Sequence, residues 1–205
     1  MTPELTREII ELTVEHLVLV VIAMAIAIVV AVPVGILLTR RAPLQRWVIG
    51  FANIMQTVPS LALFGFLIPI PFLGGIGKHT AIVALVLYAL LPILRNTLTG
   101  ILGVDPAVRE SAIAMGMTGR QLLWEVELPL SARTILAGIR VATVTTIGTA
   151  TIAAAIGGGG LGVFIFRGLA SVDSTLILAG AVPAALIALA ADGGLGWVEK
   201  KLSPV

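Results

Sequence analysis

Residues 16–39 read HLVLVVIAMAIAIVVAVPVGILLT, a run without Asp, Glu, Lys or Arg. A helix needs about 20 apolar residues to cross the hydrocarbon of a bilayer, so this run alone directs the chain to a membrane. Stretches 47–70, 79–99, 134–156 and 174–198 are also long and predominantly apolar, with at most one charged residue each. They are continuously apolar and lack the period of two that a membrane barrel requires. Composition agrees, with mean hydropathy +1.10, 58% hydrophobic residues and 12% charged. The expected fold is all-α: one polytopic membrane domain over 1–205 with about five transmembrane helices, preceded by an external amphipathic segment at 1–15.

Orientation follows from the basic residues, which are retained on the cytoplasmic side near span ends. Ten of the 13 Lys and Arg fall on one side when the first loop is placed inside: Arg40, Arg41, Arg46, Arg95, Arg109, Arg120, Arg133, Arg140, Lys200 and Lys201. Arg7, Lys78 and Arg167 fall on the other. The N-terminus is therefore expected outside and the C-terminus in the cytoplasm. A net charge of +2 without clustered Lys and Arg argues against nucleic-acid binding. The lack of Cys excludes disulfides and thiolate metal sites. No cleavable leader is expected, because MTPELTREIIELTVEH carries acids where a basic n-region belongs.

One polar segment interrupts the apolar runs, ESAIAMGMTGRQLLWEVELP at 110–129, inside a cytoplasmic loop at 100–133. Asp105-Pro106 starts a helix, since Asp is a good N-cap and Pro at the first helical position gives up an N–H that had no partner. Gly116 and Gly119 bracket a break. Thr118 with Gln121 forms a capping box, so a second short helix is expected from Gly119 to Leu128, ended by Pro129. Ile113, Met117, Leu122, Leu123 and Trp124 offer an apolar surface able to fill a partner's groove.

The spacing of this segment is specific. Glu110-Ser111-Ala112, three residues, Gly116, nine residues and Val126-Glu127-Leu128-Pro129 closely resembles the EAA motif of permease subunits of ABC importers. Ser111 stands for the usual second Ala and Val126 for the usual Ile. The resemblance implies a type I importer permease with a coupling helix between the third and fourth spans. In it Glu110, Ser111, Ala112, Gly116, Leu128 and Pro129 serve the contact with a cytoplasmic ATP-binding subunit. It also implies a second permease subunit, identical or paralogous, and an external substrate-binding protein, for which loops 71–79 and 157–173 are the docking surface. TIGTATIAAAIGGGGLG at 146–162 and the stretch 167–192 look like the subgroup that imports glycine betaine, carnitine and choline. Permeases for methionine, taurine or nitrate share the scaffold.

Two other patterns are decoys. Gly157 to Gly162 satisfies G-x-G-x-x-G but follows an apolar span and not a strand, so a turn or a close helix approach is the expected role. GIGKHT at 75–80 has no glycine five residues before it and has His79 where a magnesium-binding hydroxyl belongs. The chain is thus expected to be non-catalytic and to bind no cofactor, with ATP and magnesium on the separate ATPase.

Asn53, Gln56, Thr57 and Ser60 fall at i, i+3, i+4 and i+7 of the second span, where Pro59 predicts a kink. Exposing that polar face to lipid is costly. It lines a translocation path or makes interhelical hydrogen bonds. Thr145 and Thr149 are the path candidates on the fourth span, whose threonines are expected to be partly bonded to their own turns. Asp192 is the only acid inside a span, and its expected role is a structural ion pair with Arg95 or Arg140, with gating as the alternative. Tyr88 as the only Tyr gives little from which to build an aromatic cage for a quaternary ammonium, so selectivity is assigned to the external protein.

Two competing functions are weaker. A stand-alone channel or ion-driven carrier would carry paired halves and buried acids. An intramembrane hydrolase needs a nucleophile and base in reach, and His16 and His79 sit at outer span ends, where an interfacial role is expected.

Overall fold

A computed structural model describes residues 3–71 and 73–202. Met1 and Thr2 of the amphipathic segment, Phe72 of the 71–79 loop and residues 203–205 lie outside the described residues. Among the described residues there are helices and no strand. Four helices among the described residues are long and apolar enough to cross a membrane, and a bent helix pair makes five if it is one broken span.

Helix α1 runs from Pro3 to Thr39 without interruption over 37 residues. At about 1.5 Å per residue it is far longer than the roughly 30 Å hydrocarbon core. Residues 3–15 of the expected amphipathic segment therefore belong to the same helix as the first span. Nothing between Glu4 and Pro33 breaks it, and Arg7 Nε donates to Glu11 Oε1 one turn on at 2.8 Å.

The second crossing departs from expectation. Helices α2 (Ala42–Thr57) and α3 (Ser60–Leu67) meet at 107°. Val58 and Pro59 are both extended, with ψ of 129° and 136°. Proline forces the residue before it out of the helical region, and the Val58 carbonyl left without a helical partner accepts from the Tyr88 hydroxyl. A kink becomes a full break because Tyr88 supplies a replacement donor. Tyr88 therefore caps the break.

Helix α4 (Lys78–Leu102) is central, packed against α1, α2 and α7. Its contact faces are rich in small residues, with Ala81, Ala84 and Ala89 fully buried, so the helix backbones approach closely. Helix α5 (Pro106–Ala114) follows, then α6 (Gly119–Gln121), a π turn (Leu122–Glu127) and α7 (Leu128–Ala150). The last three form one unbroken crossing from Gly119 to Ala150, so Pro129 does not end a second short helix. Leu128 N–H reaches back to Leu123 O, the wider π spacing. That spacing opens room for a proline ring that would otherwise strike the carbonyl four residues earlier.

A 3₁₀ turn (Ile152–Ile156) and a glycine-rich turn lead to α8 (Gly162–Ser171). Helix α9 (Ser174–Lys201) is capped by Asp173 Oδ1, which accepts from Thr175 N at 2.8 Å, and packs on α7 and α8.

Candidate functional site: the 105–129 segment and the polar helix faces

Each boundary of α5 is set by a side chain or a glycine. Asp105 Oδ1 accepts from Ala107 N at 2.8 Å, and Pro106 opens the helix. At its far end Gly116 N–H bonds Ile113 O at 2.9 Å and Met117 N–H bonds Ala112 O at 3.2 Å, with Gly116 at φ +85°. This is a Schellman stop, in which the residue four after the third-last helical position must be left-handed. The spacing from Ala112 to Gly116 is therefore the geometry of a helix made to end there. Ala112 is buried against the bundle while Glu110 and Ser111 are exposed, so one motif anchors the helix and presents its outer face. Ser111 Oγ donates to Ala107 O within that helix at 2.8 Å.

The capping box forms as expected, with Gln121 N–H donating to Thr118 Oγ1 and Thr118 N–H to Gln121 Oε1. Of the five apolar residues expected on the surface, Ile113 and Trp124 are exposed, Met117 and Leu123 are half-buried, and Leu122 is buried, turned inward by the π turn. Leu128 is half-buried and Pro129 exposed at the start of α7.

Glu127 was not singled out by sequence reasoning, yet its side chain is fully buried. It accepts a hydrogen bond from Arg40 Nη2, just past the end of α1. Arg109 Nε of α5 lies 3.3 Å from Glu127 Oε1. Arg109 also donates through Nη2 to Ile101 O of α4. One carboxylate thus gathers α1, α4, α5 and the start of α7. The signal in the sequence was an acid inside an apolar quartet, Val126-Glu127-Leu128-Pro129, but its partners are remote along the chain.

The six path candidates are not gathered into one site. Ser60 stands beyond the break, on a different helix from Asn53, Gln56 and Thr57, so the single polar face is divided. Asn53 Oδ1 accepts from Arg95 Nη2 of α4 at 2.7 Å, an interhelical bond. Gln56 and Thr57 are exposed, and the Thr57 hydroxyl donates to Ile54 O at 2.8 Å. Thr145 is exposed and Thr149 half-buried, and both donate to their own helix, to Val141 O and Thr145 O at 2.9 Å.

Asp192 resolves in favour of Arg140: Nε and Nη2 reach the two carboxylate oxygens at 2.6 and 2.7 Å, and Arg140 Nη1 also reaches Glu199 at 3.2 Å. The bidentate fork ties α7 to α9.

At the opposite end of the bundle, Glu15 pairs with Lys78 at 2.5 Å and accepts from Gly160 N at 2.8 Å. Gly159 has φ +80°, and a Cβ there would lie 2.3 Å from Glu15 Oε2, so the glycine run is a close approach, as expected. His16 is fully buried and not interfacial. Thr151 N–H turns to Gly148 O, and His16 Nε2 donates to Ile147 O at 3.1 Å near the end of that helix. His79 is exposed. Among the described residues no group of His, Asp and Glu could hold a metal ion.

Apolar crossings joined by a capped helix define a polytopic membrane protein. Residues 31–204 match the family described as binding-protein-dependent transport system inner membrane component, and the chain belongs to that family. It is 51% identical over 173 residues to the carnitine transport permease protein OpuCB of Listeria monocytogenes, covering 84% of this chain and 78% of that one. Against the glycine betaine/carnitine/choline transport system permease protein OpuCB of Bacillus subtilis it is 49% identical over 197 residues, 96% of this chain and 89% of the relative. The osmoprotectant import permease protein OsmW of Salmonella typhimurium is 41% identical, with 94% and 91% covered. Among solved structures, an inward-facing form of the MetNI methionine ABC transporter superposes over 100% of both chains with TM-score 0.89 at 22% identity. An amino acid ABC transporter with histidines gives TM-score 0.80 at 18% identity, over 98% of this chain and 100% of that one. These two likenesses establish the importer-permease fold, and the chain is a multi-pass membrane protein.

Proposed function

We propose that this chain is the permease subunit of an ATP-driven importer for small quaternary ammonium osmoprotectants: glycine betaine, carnitine or choline. The observation that carries the coupling half is α5, a short helix with its inner side buried through Ala112 and its outer side, Glu110 and Ser111, free for a cytoplasmic ATP-binding subunit. The substrate half rests on relatives about half identical over most of the chain, whose names carry these three compounds. The chain hydrolyses nothing itself, and ATP and magnesium belong to the separate subunits. Two permease copies, identical or paralogous, enclose the path, with α2, α3 and α7 contributing Asn53, Gln56, Thr57, Ser60, Thr145 and Thr149. The N-terminus faces outward, the end bearing Arg40, α5 and the C-terminus faces the cytoplasm, and an external binding protein docks on 71–79 and 157–173.

The test is uptake by proteoliposomes holding the purified complex with ATP inside. Uptake of at least one of the three osmoprotectants, dependent on ATP and on the binding protein, is expected. Methionine uptake in their place would reassign the substrate, and uptake by this chain alone without ATP would restore the carrier reading.

A further inference from the structure

Among the acids near α5, Glu127 differs from the rest. Glu110 and Glu125 are exposed, whereas the Glu127 side chain has no exposure at all. A carboxylate in that position persists only when paired, and its two partners belong to two different elements. Arg40 lies at the end of α1, and Arg109 is one residue before Glu110 on the docking helix.

The two halves of the cluster are unequal. Glu127 Oε2 holds a hydrogen bond from Arg40. Oε1 faces Arg109 Nε at 3.3 Å, yet both of these buried atoms lack a hydrogen-bond partner. Buried polar atoms left unpaired call for an explanation. Here an acceptor and a donor stand at ion-pair distance but out of hydrogen-bond alignment, which a small displacement of α5 would correct. Glu127 also ends the π turn, a rare geometry that is frequent at functional sites.

The geometry points to Glu127 as a positioning residue, the buried anionic joint through which movement of α5 is passed to α1. Arg40–Glu127 is the fixed half. Arg109–Glu127 is the working half, loose in this arrangement and aligned when α5 is pressed towards the bundle. Packed helices support such two-state changes. This inference rests on the reading of α5 as the contact with the ATPase.

The experiment reads substrate moved per ATP hydrolysed in the reconstituted complex, with glycine betaine, carnitine and choline as probes. Arg40 is half exposed, so Arg40→Gln is expected to assemble and to hydrolyse ATP within about twofold of the unaltered complex. Its transport per ATP should fall about tenfold or more, the factor expected when a charge-assisted hydrogen bond is lost, and Arg40→Lys should recover part of it. Arg109→Gln is the second variant. Because the two contacts act in series, the double variant should be no worse than the poorer single one. An unchanged ratio in either single variant, or losses that multiply in the double, would overturn the joint. If Arg40→Gln does not assemble, Arg40→Lys and Arg109→Gln carry the same reading. An unaltered complex that moves none of the three probes would instead end the osmoprotectant reading.

Discussion

One carboxylate fastens α1 at each end of the bundle, and the two are held in different ways. Glu15 stays partly exposed and is met by a Lys and by a backbone N–H of a glycine turn shaped around it. Glu127 is fully buried and is met only by arginine side chains, one of them unaligned. A backbone donor in a close-packed turn has nowhere to go, whereas a long side chain beside an unmet acceptor can shift without breaking the fold. The first end is a latch and the second an adjustable joint. That is the arrangement expected if force enters at the α5 end and the opposite end must hold a docking surface in shape.

The difference is open to attack by substitution. The largest effect should come from Glu127→Lys, which places three cations in one buried cluster. Losing the anion from such a pair costs about 3–5 kcal/mol, so the chain should fail to accumulate in membranes, as read by fluorescence-tagged expression. Gly159→Val tests the latch, since its Cβ meets the Glu15 carboxylate at left-handed φ. A strained position of this kind costs about 1–3 kcal/mol, visible as a lower thermal midpoint in detergent. His16→Ala should cost about 1–3 kcal/mol because it empties a buried site and removes the donor to Ile147 O. The exposed His79→Ala should stay within about 0.5 kcal/mol. Smallest of the destabilising changes is Thr118→Ala, which removes the capping box for about 1 kcal/mol and should loosen only the entry to α6, as read by hydrogen exchange.

Much of this was legible in the sequence, because the signals were local. Long apolar runs gave the crossings, Asp105-Pro106 and Thr118 with Gln121 gave the helix starts, and Gly116 gave the stop of α5. What escaped depends on contacts distant in sequence. Pro59 announces a disturbance but not a 107° break, because the break needs the Tyr88 hydroxyl to satisfy Val58 O. Pro129 announces a helix end, yet the chain passes it through a π turn. The burial of Glu127 depends on Arg40, 87 positions away, and that of His16 on Ile147, 131 positions away. Likewise the i, i+3, i+4, i+7 pattern at Asn53 to Ser60 assumed one unbroken helix, and the break divides it.

The role of α5 as the element that receives the ATPase is tested most directly by one substitution on its free face. Glu110 is exposed, so Glu110→Lys should leave membrane insertion and thermal stability unchanged while abolishing both transport and substrate-stimulated ATP hydrolysis in the reconstituted complex. Normal stimulation of hydrolysis in that variant would contradict the coupling role of α5.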